Sequence, residues 1–355
     1  MSAKDDLKQK LNQVVMAAGL AAKWCDRKGP VAVELTKHMG LTPRIYRKTI
    51  VELSKVSNAV EPSMCAKDWL NIDYSKVASV ASARYGKAFG RHNQEGYAAY
   101  LEAVKKGEAK INAGAIFPHD VLKNCNSAPD TAIAQWDALP DYMDDTPVFP
   151  MIDVSGSMSC SAGGGKTTCM DVAIALGLYV ATKQKGAFKD LYLTFSDTPV
   201  IIKAEGTIVE KAADCRQAPW GGSTNIEAGL QLILGVATEH NVPQNEMPKY
   251  LIVFSDMQFN ESFGHRGRGH RPDTMMEMSK KMFCDAGYEM PVVVFWNLNG
   301  ENGNQPASAA DGNVMMVSGF ATPMIKNVLS GKSTSPIELV LDVINAPRYE
   351  QIVAA

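Results

Sequence analysis

The sequence lacks any long apolar run. Apolar stretches such as residues 250–255 and 291–296 are well short of the roughly 18 residues that suggest a membrane-spanning helix. The first residues mix acids and bases ahead of an amphipathic run, whereas a secretory signal has a basic region followed by an apolar one. We therefore expect no transmembrane helix, no membrane partner and a protein of the cytoplasm.

The sequence also lacks paired cysteines. Its seven cysteines are odd in number, widely spaced and without a Cys-x-x-Cys pair, which favours reduced thiols over a disulfide framework or a zinc knuckle. A Ser/His/Asp triad, a Cys/His pair and a His-Glu-x-x-His motif are likewise missing. We therefore predict a protein that is not an enzyme.

An excess of one charge sign is missing as well. Lys and Arg number 36 against 38 Asp and Glu, which leaves a formal charge of -2. Binding to nucleic acid would therefore need a local basic patch. The 46% of hydrophobic and 21% of charged residues are typical of a globular protein, and 355 residues suffice for two domains.

Helical periodicity is the main feature of residues 1–130. Apolar residues recur at helical spacing, and glycines and prolines interrupt the pattern, which predicts an all-α domain of five or six short helices. The proline- and acid-rich residues 131–147 predict a linker. Residues 332–355 predict a C-terminal helix that packs on one of the domains or serves dimerisation, so the oligomeric state stays open.

The aromatic side chains of this helical domain occur at the spacing of a core. They are Trp69, Tyr74, Tyr85, Phe89, Tyr97 and Tyr100. We interpret them as core residues, with a base-stacking platform as the alternative.

Residues 148–331 alternate short β-branched and aromatic runs with helical ones. The predicted strands are 148–155, 191–197, 199–204, 250–256, 291–298 and 314–320, and the predicted helices are 168–183, 208–217, 225–239, 274–287 and 323–329. This alternation predicts an α/β fold, a Rossmann-like and mainly parallel sheet flanked by helices. The second and third strands, joined only by Thr198, are expected to be antiparallel.

Oxygen-bearing side chains come after three of the predicted strands. Asp153, Ser155 and Ser157 leave the first strand, Thr224 closes a Gly-Gly-Ser-Thr loop, and Asp256 ends the fourth strand. Ligands of open parallel sheets bind beyond the carboxyl ends of the strands. Carboxylates and hydroxyls without Cys or His suit a hard divalent cation. We expect Mg²⁺, with Mn²⁺ or Ca²⁺ as alternatives, and a coordination position left for an acid from another molecule.

This ordered set resembles the metal-ion-dependent adhesion site of von Willebrand factor A domains. The resemblance implies that Ser155, Ser157 and Thr224 contact the metal directly or through water. It implies that Asp153 and Asp256 mostly hold metal-bound waters. It also implies that an acidic side chain of a protein partner is engaged through the metal.

A second resemblance covers nearly the whole chain. Residues 46–48, 64–69, 72–74, 107–111, 117–120 and 295–297 are similar to a poorly characterised family that joins a TROVE-like helical segment to an A domain. That family is distantly similar to the Ro RNA-binding proteins, and its members occur in plants, bacteria and large DNA viruses or phages. A phage or viral source would place the protein in the host cytoplasm or the virion. The resemblance indicates architecture, because the family has no firmly established function.

RNA binding is the alternative function. The candidate contacts in residues 263–271 are His265, Arg266, Arg268, His270 and Arg271, because Arg forks pair bidentately with phosphate. A solvated loop is the competing interpretation. The resemblance implies that Ro-type proteins hold RNA in a ring of helical repeats. At roughly 40 to 47 residues per HEAT-like repeat, residues 1–130 allow about three repeats, too few to close a ring.

A phosphate-binding loop is suggested by the glycines before Lys166 and Thr167. The full motif needs a glycine at position 160, where Cys160 stands, and the predicted strand ends some residues earlier. We therefore interpret residues 163–167 as a flexible insertion between the metal loop and the next helix.

Overall fold

A computed structural model describes residues 21–22, 25–56, 59–194, 198–218, 225–257, 275–299, 313–329, 341 and 344–345. The chain divides into two compact units, Met1–Ala115 and Ile116–Ala355. This division lies before the predicted linker at residues 131–147. Most of the predicted C-terminal helix, 332–355, is outside the described residues.

The first unit is helical over its described residues, as the periodicity predicts. Its helices are α1 (Pro30–His38), α2 (Pro43–Val56), α3 (Glu61–Cys65), α4 (Ser79–His92) and α5 (Gln94–Lys105). Pro30, Pro43 and Pro62 stand in the first turns of α1, α2 and α3. Proline is tolerated there because a first-turn amide has no partner within the helix.

Asn93 separates α4 from α5. Its Oδ1 accepts a hydrogen bond from the Gly96 amide at 3.2 Å and caps α5. Its Nδ2 donates to the Tyr74 hydroxyl at 3.1 Å and to the Trp69 carbonyl at 3.4 Å. One polar side chain therefore caps α5 and also holds the segment that precedes α4.

The aromatic residues of this unit form a core, as their spacing predicts. The ring centroids of Tyr74, Phe89 and Tyr97 lie 4.8 to 5.3 Å apart, in tilted or edge-to-face arrangements. All three side chains are buried. Trp69 packs beside them and stacks on His92 at 4.2 Å. Because these rings pack against one another and exclude water, they stabilise the helical unit.

The second unit contains a six-stranded sheet. Its strands are β1 (Val148–Ile152), β2 (Leu191–Thr194), β3 (Ile201–Lys203), β4 (Tyr250–Ser255), β5 (Val292–Asn297) and β6 (Val314–Ser318). The strand order is β3-β2-β1-β4-β5-β6. Neighbouring strands are parallel except for β2 and β3. Both the α/β prediction and the antiparallel exception are therefore confirmed.

Over the described residues, the helices of the second unit that follow β1 match the predicted ones closely, whereas the two that precede β1 fall in the predicted helical domain and linker. The helices of this unit are α6 (Pro118–Leu122), α7 (Pro129–Asp137), α8 (Cys169–Lys183), α9 (Ile208–Gln217), α10 (Ile226–Glu239), α11 (Met275–Asp285) and α12 (Met324–Leu329). Among the residues that the structure describes, none of the helices combines the length and the apolar character needed to cross a bilayer.

Two glycines let helices lie directly against β1. Successive residues of a strand point to opposite faces of the sheet, and here Met151 and Ile152 meet α10 and α8. A Cβ atom added at Gly229 would overlap the Met151 side chain, and one added at Gly177 would overlap Ile152. The central strand is therefore enclosed from both faces, and its residues are fully or almost fully buried.

Residues 129–137, which overlap the start of the predicted linker, form helix α7. Trp136 of this helix is buried against Tyr179 of α8, with ring centroids 6.4 Å apart. The Tyr179 hydroxyl donates to the Pro140 carbonyl at 2.5 Å and accepts from the Tyr142 amide at 3.0 Å. Because one buried tyrosine organises this segment, it belongs structurally to the second unit.

Candidate functional site

The candidate site begins where β1 and β4 end side by side. Asp153 follows β1 directly, and its amide donates to the Phe254 carbonyl at 3.1 Å, which extends the pairing by one residue. Ser255 ends β4, and Asp256 comes next in the chain. Parallel neighbours present their carboxyl ends at the same edge of a sheet, so the two aspartates reach that edge together.

The Asp153 carboxylate is held by neutral donors. Its Oδ1 accepts from the Ser155 amide at 2.9 Å, and its Oδ2 accepts from the Ser255 hydroxyl at 2.6 Å. Asp153 is fully buried. The sequence does not predict this positioning role of Ser255, because it depends on a contact between residues 102 positions apart.

The two serines of the motif bring their hydroxyls together. Ser155 and Ser157 flank Gly156 in a short 3-10 turn, and their Oγ atoms lie 3.0 Å apart. Both residues are partly exposed, whereas the next residue, Met158, is buried. The Met158 sulfur accepts from the Asp256 amide at 3.1 Å. Met158 therefore connects the motif to the end of β4 and leaves the hydroxyls on the accessible side.

Burial raises the pKa of the Asp153 carboxyl group. Hydrogen bonds from Ser255 and Ser155 favour the ionised form and oppose this effect, and the charge of nearby Asp256 adds to it. Two carboxylates in a buried place disfavour each other's ionised form. A divalent cation at this position would remove that disadvantage, and oxygen is the donor that hard cations select.

A pair of thiols lies beside the candidate site. The Cys160 sulfur is 3.9 Å from Asp256 Oδ2 and 3.4 Å from the Cys169 sulfur. Burial raises the pKa of the Cys169 thiol, and Cys160 and the two site aspartates raise it further. This thiol therefore keeps its proton near neutral pH, so it is a poor ligand in the resting protein.

In the part of the chain that the structure describes, the carboxylates and thiols near the candidate site are too few to bind a metal ion by themselves. No group of three or more His, Cys, Asp or Glu side chains there could hold a metal ion. A cation at this edge of the sheet would therefore need hydroxyl ligands in addition to the two aspartates.

Of the predicted ligands, Asp153, Ser155, Ser157 and Asp256 lie in the described residues and meet at one edge of the sheet. Thr224 lies outside the described residues. The predicted RNA contacts also lie outside them, namely His265, Arg266, Arg268, His270 and Arg271.

Residues 161–168, which include the predicted flexible insertion, form a closed loop. Ser161 and Thr168 make an antiparallel bridge, and the Ala162 amide donates to the Thr167 carbonyl at 2.8 Å. Thr168 then caps α8 through the Asp171 amide at 3.1 Å. The loop lies between the Ser155–Ser157 motif and α8, which is where the sequence predicts an insertion.

His119 is a buried polar residue in this unit. Its ring stacks on Phe117 and meets Phe320 edge to face, with centroids 5.4 and 5.5 Å away. Burial lowers its pKa. Within the described residues, His119 Nδ1 has no hydrogen-bond partner. The neutral imidazole is therefore the form that fits this aromatic environment.

A groove of about 680 Å³ lies at the opposite, amino end of the sheet. Its lining includes Pro147, Met247, Tyr288, Met290 and Pro291. These residues come from connections between elements and form no motif, which explains why the sequence did not reveal the groove. Ligands of open α/β sheets bind at the carboxyl end, so the candidate site remains the one built on Asp153.

Comparisons with known proteins agree with a chain of two parts. A family model described as a domain of unknown function (DUF7788) matches residues 149–346, and a second one (DUF2828) matches residues 32–146. An uncharacterized protein of Acanthamoeba polyphaga mimivirus is 32% identical in an alignment 359 positions long, which covers 93% of this chain and 61% of that protein. The chain thus spans about three fifths of the length of this curated relative.

Two solved structures are similar at low sequence identity. The Ro (RSR) protein of Deinococcus radiodurans has a TM-score of 0.46 at 15% identity, over 88% of this chain and 72% of that one. An aerotolerance-related membrane protein of Bacteroides fragilis has a TM-score of 0.31 at 14% identity, over 52% of this chain and 97% of that one. The family models carry the assignment: since the DUF7788 model matches more than half of the residues, the chain belongs to the family that this domain of unknown function defines.

Proposed function

We propose that the α/β unit is a non-enzymatic binding module that holds a divalent cation at the carboxyl end of β1 and β4. Asp153, Ser155, Ser157 and Asp256, together with Thr224, are the residues that would hold the cation. A partner protein would supply an acidic side chain to complete the coordination. The module would act in the cytoplasm or, for a viral chain, in the host cytoplasm or the virion.

The observation that carries this proposal is the environment of Asp153. Its carboxylate is fully buried, both of its oxygens accept hydrogen bonds from neutral donors, and a second buried carboxylate lies nearby. Hydrogen bonds from neutral groups stabilise an anion but leave its charge in place. A doubly charged cation offsets two buried carboxylates at once.

The choice of cation rests on the donor types. Carboxylate and hydroxyl oxygens suit Mg²⁺, which keeps several of its waters and is usually bound by few protein ligands. Mn²⁺ and Ca²⁺ accept the same donors. Mg²⁺ is therefore the expected ion, with the other two as alternatives.

The nature of the partner rests on the difference in exposure across the site. Asp153 and Asp256 are buried, whereas Ser155 and Ser157 are partly exposed. A cation held between these groups would have its remaining position on the accessible side. A carboxylate is the protein group that combines negative charge with a hard oxygen, so the expected partner presents Asp or Glu.

Isothermal titration calorimetry of Mg²⁺ and of Mn²⁺ tests the cation. Wild-type protein should bind about one ion, and the Asp153→Ala and Ser157→Ala variants should lose most of the binding heat. Ser159→Ala is the matched control, because Ser159 is an exposed hydroxyl of the same 3-10 turn that is not a predicted ligand. Equal heats in wild type and Asp153→Ala would overturn the proposal.

A capture experiment tests the partner. Protein immobilised in Mg²⁺ should retain a partner from lysate that EDTA releases and that Ser157→Ala fails to retain. An excess of a glutamate-containing peptide should compete with it. Capture that persists in EDTA and on Ser157→Ala would show that cation-mediated recognition is not the binding mode.

RNA binding is the second candidate function, and it is supported by the arginine-rich sequence of residues 263–271. A mobility shift with structured RNA at two salt concentrations tests it, since phosphate contacts weaken as salt rises. The variant that combines Arg266→Ala, Arg268→Ala and Arg271→Ala should lose the shift. Absence of any shift at low salt in the wild type would exclude this function.

A further inference from the structure

We propose that Cys160 and Cys169 form a reversible intramolecular disulfide that closes residues 161–168 into a covalent loop. Their sulfur atoms lie 3.4 Å apart. A disulfide needs about 2.05 Å, so the two sulfurs must approach by little more than an ångström. The inference concerns the thiols alone and does not depend on a cation at the neighbouring site.

The backbone already holds the two residues opposite each other. The Cys169 amide donates to the Cys160 carbonyl at 2.9 Å, next to the antiparallel bridge between Ser161 and Thr168. The Cys160 amide donates to the Ser157 carbonyl at 3.0 Å, so the two cysteines share one backbone hydrogen bond and not the reciprocal pair of a regular ladder. The contact between the two sulfurs and this backbone bond together place the side chains within reach of a disulfide.

The two thiols differ in access. Cys160 is partly exposed, whereas Cys169 is fully buried. A small oxidant such as hydrogen peroxide therefore reaches Cys160 first, and Cys169 is the second thiol that completes the bond. This division into an accessible and a resolving cysteine is typical of redox-sensitive sites.

The chemistry balances with hydrogen peroxide as the oxidant. The Cys160 sulfur attacks one peroxide oxygen and becomes a sulfenic acid, while the O–O bond breaks and the departing hydroxide takes the Cys160 proton and leaves as the first water. The Cys169 sulfur then displaces the sulfenic hydroxyl, which takes the Cys169 proton and leaves as the second water. Two thiols lose two electrons in total, and one peroxide is reduced to two waters. A dithiol reverses the reaction by thiol–disulfide exchange.

Exposure alone predicts a different outcome. Cys65 and Cys284 are the exposed cysteines of the described residues. If solvent exposure alone determined which thiols are oxidised, these two would be modified first. A disulfide needs a second thiol within reach, and Cys160 has one in contact. Preference for the pair over the exposed thiols is therefore the distinguishing prediction.

Mass spectrometry after mild oxidation tests the proposal. Reduced protein in EDTA is treated with hydrogen peroxide, its free thiols are alkylated, and it is cleaved with trypsin. Because Lys166 lies between the two cysteines, the disulfide would join two otherwise separate peptides. We expect these linked peptides in wild type and in the Cys65→Ser/Cys284→Ser double variant, their loss after dithiothreitol, and their absence in Cys160→Ser.

A sulfenic acid trap provides the second test. In Cys169→Ser the Cys160 sulfenic acid cannot be resolved, so dimedone should label Cys160 several-fold more than in wild type. If Cys169→Ser does not fold, the presence of the linked peptides in wild type and their absence in Cys160→Ser still test whether the disulfide forms. Oxidation of Cys65 and Cys284 while Cys160 and Cys169 both remain open to alkylation would overturn the proposal.

Discussion

Asn93 in the helical unit and Asp153 in the α/β unit are both polar side chains placed at the end of a secondary-structure element, yet their situations differ. Asn93 is neutral, caps α5 and donates to the Tyr74 hydroxyl and the Trp69 carbonyl. Asp153 also has partners for its oxygens, but it is fully buried beside a second carboxylate. Hydrogen bonds satisfy the neutral group, and they leave the charged one in an unfavourable place.

We propose that this difference separates a structural role at Asn93 from a cation-binding role at Asp153. A neutral polar group whose hydrogen bonds are satisfied stabilises the fold by itself. A buried charge without an opposite charge is costly, and ionisable groups with strongly shifted pKa values cluster at functional sites. Substitutions at the structural positions should therefore change stability equally with and without a cation, whereas substitution of Asp153 should change the response to the cation.

The largest effect on stability is expected where a helix encloses the strand that carries Asp153. Gly177→Val places a side chain against Ile152, where even a Cβ atom has no room. Overpacking of this kind costs about 1–3 kcal/mol. The free energy of unfolding from urea titration should fall accordingly, in Mg²⁺ and in EDTA alike. If Gly177→Val does not lower the free energy of unfolding, the packing of α8 on β1 is not what holds Asp153 in place.

A second helical glycine serves as the control for this change. Gly235 lies in α10, is exposed and has no atom within 4 Å of an added Cβ. Gly235→Ala should raise the free energy of unfolding by up to about 1 kcal/mol, because alanine loses less backbone entropy than glycine when a helix forms. A destabilised Gly235→Ala would mean that any substitution of a helical glycine is harmful here.

Asn93→Ala should cost about 1 kcal/mol, the usual contribution of an N-cap residue. The variant also loses the hydrogen bond to the Tyr74 hydroxyl. Thermal unfolding should show the same loss of stability with Mg²⁺ and with EDTA, because Asn93 is a neutral capping residue that does not respond to a cation. A loss that depended on Mg²⁺ would contradict the separation of the two roles.

We expect His119 to make a smaller contribution to the free energy of unfolding, one that depends on pH. Its pKa lies below the usual value because burial disfavours the charged ring. The folded protein therefore binds this proton more weakly than the unfolded chain does. The contribution of the neutral ring is fully present above about pH 6.5, the unperturbed value, and is lost as the pH falls through the lowered pKa.

His119→Phe should reduce this loss, because phenylalanine fits the contacts with Phe117 and Phe320 without a titrating group. Urea midpoints at pH 7.5 and at pH 5 measure the difference. Identical acid sensitivity in wild type and His119→Phe would exclude His119 as its source.

Much of the α/β unit could be predicted from local sequence. Strands such as β1 and β4 are buried on both faces, so they are continuous apolar runs that stand out between helices. The site residues at their ends could be proposed for the same reason, since Asp153 and Asp256 interrupt those runs. A polar residue that ends a buried parallel strand is therefore visible in the sequence itself.

The remaining features depend on contacts between residues far apart in the sequence. The structure of residues 129–142 depends on Tyr179, whose ring and hydroxyl organise a segment with the composition of a linker. The role of Ser255 depends on its contact with Asp153, and the thiol pair depends on the bridge between Ser161 and Thr168. Spacing along the chain carries no signal for these contacts.

Thermal unfolding of wild type and Asp153→Asn, each in Mg²⁺ and in EDTA, tests the central claim most directly. At a Mg²⁺ concentration of about 100 times Kd, wild type should gain about 2.7 kcal/mol. Asp153→Asn should unfold at the same temperature in both solutions and close to wild type in EDTA, because the substitution removes a buried charge and keeps the side-chain shape. Equal gains from Mg²⁺ in both proteins, or none in wild type, would contradict a cation site built on Asp153.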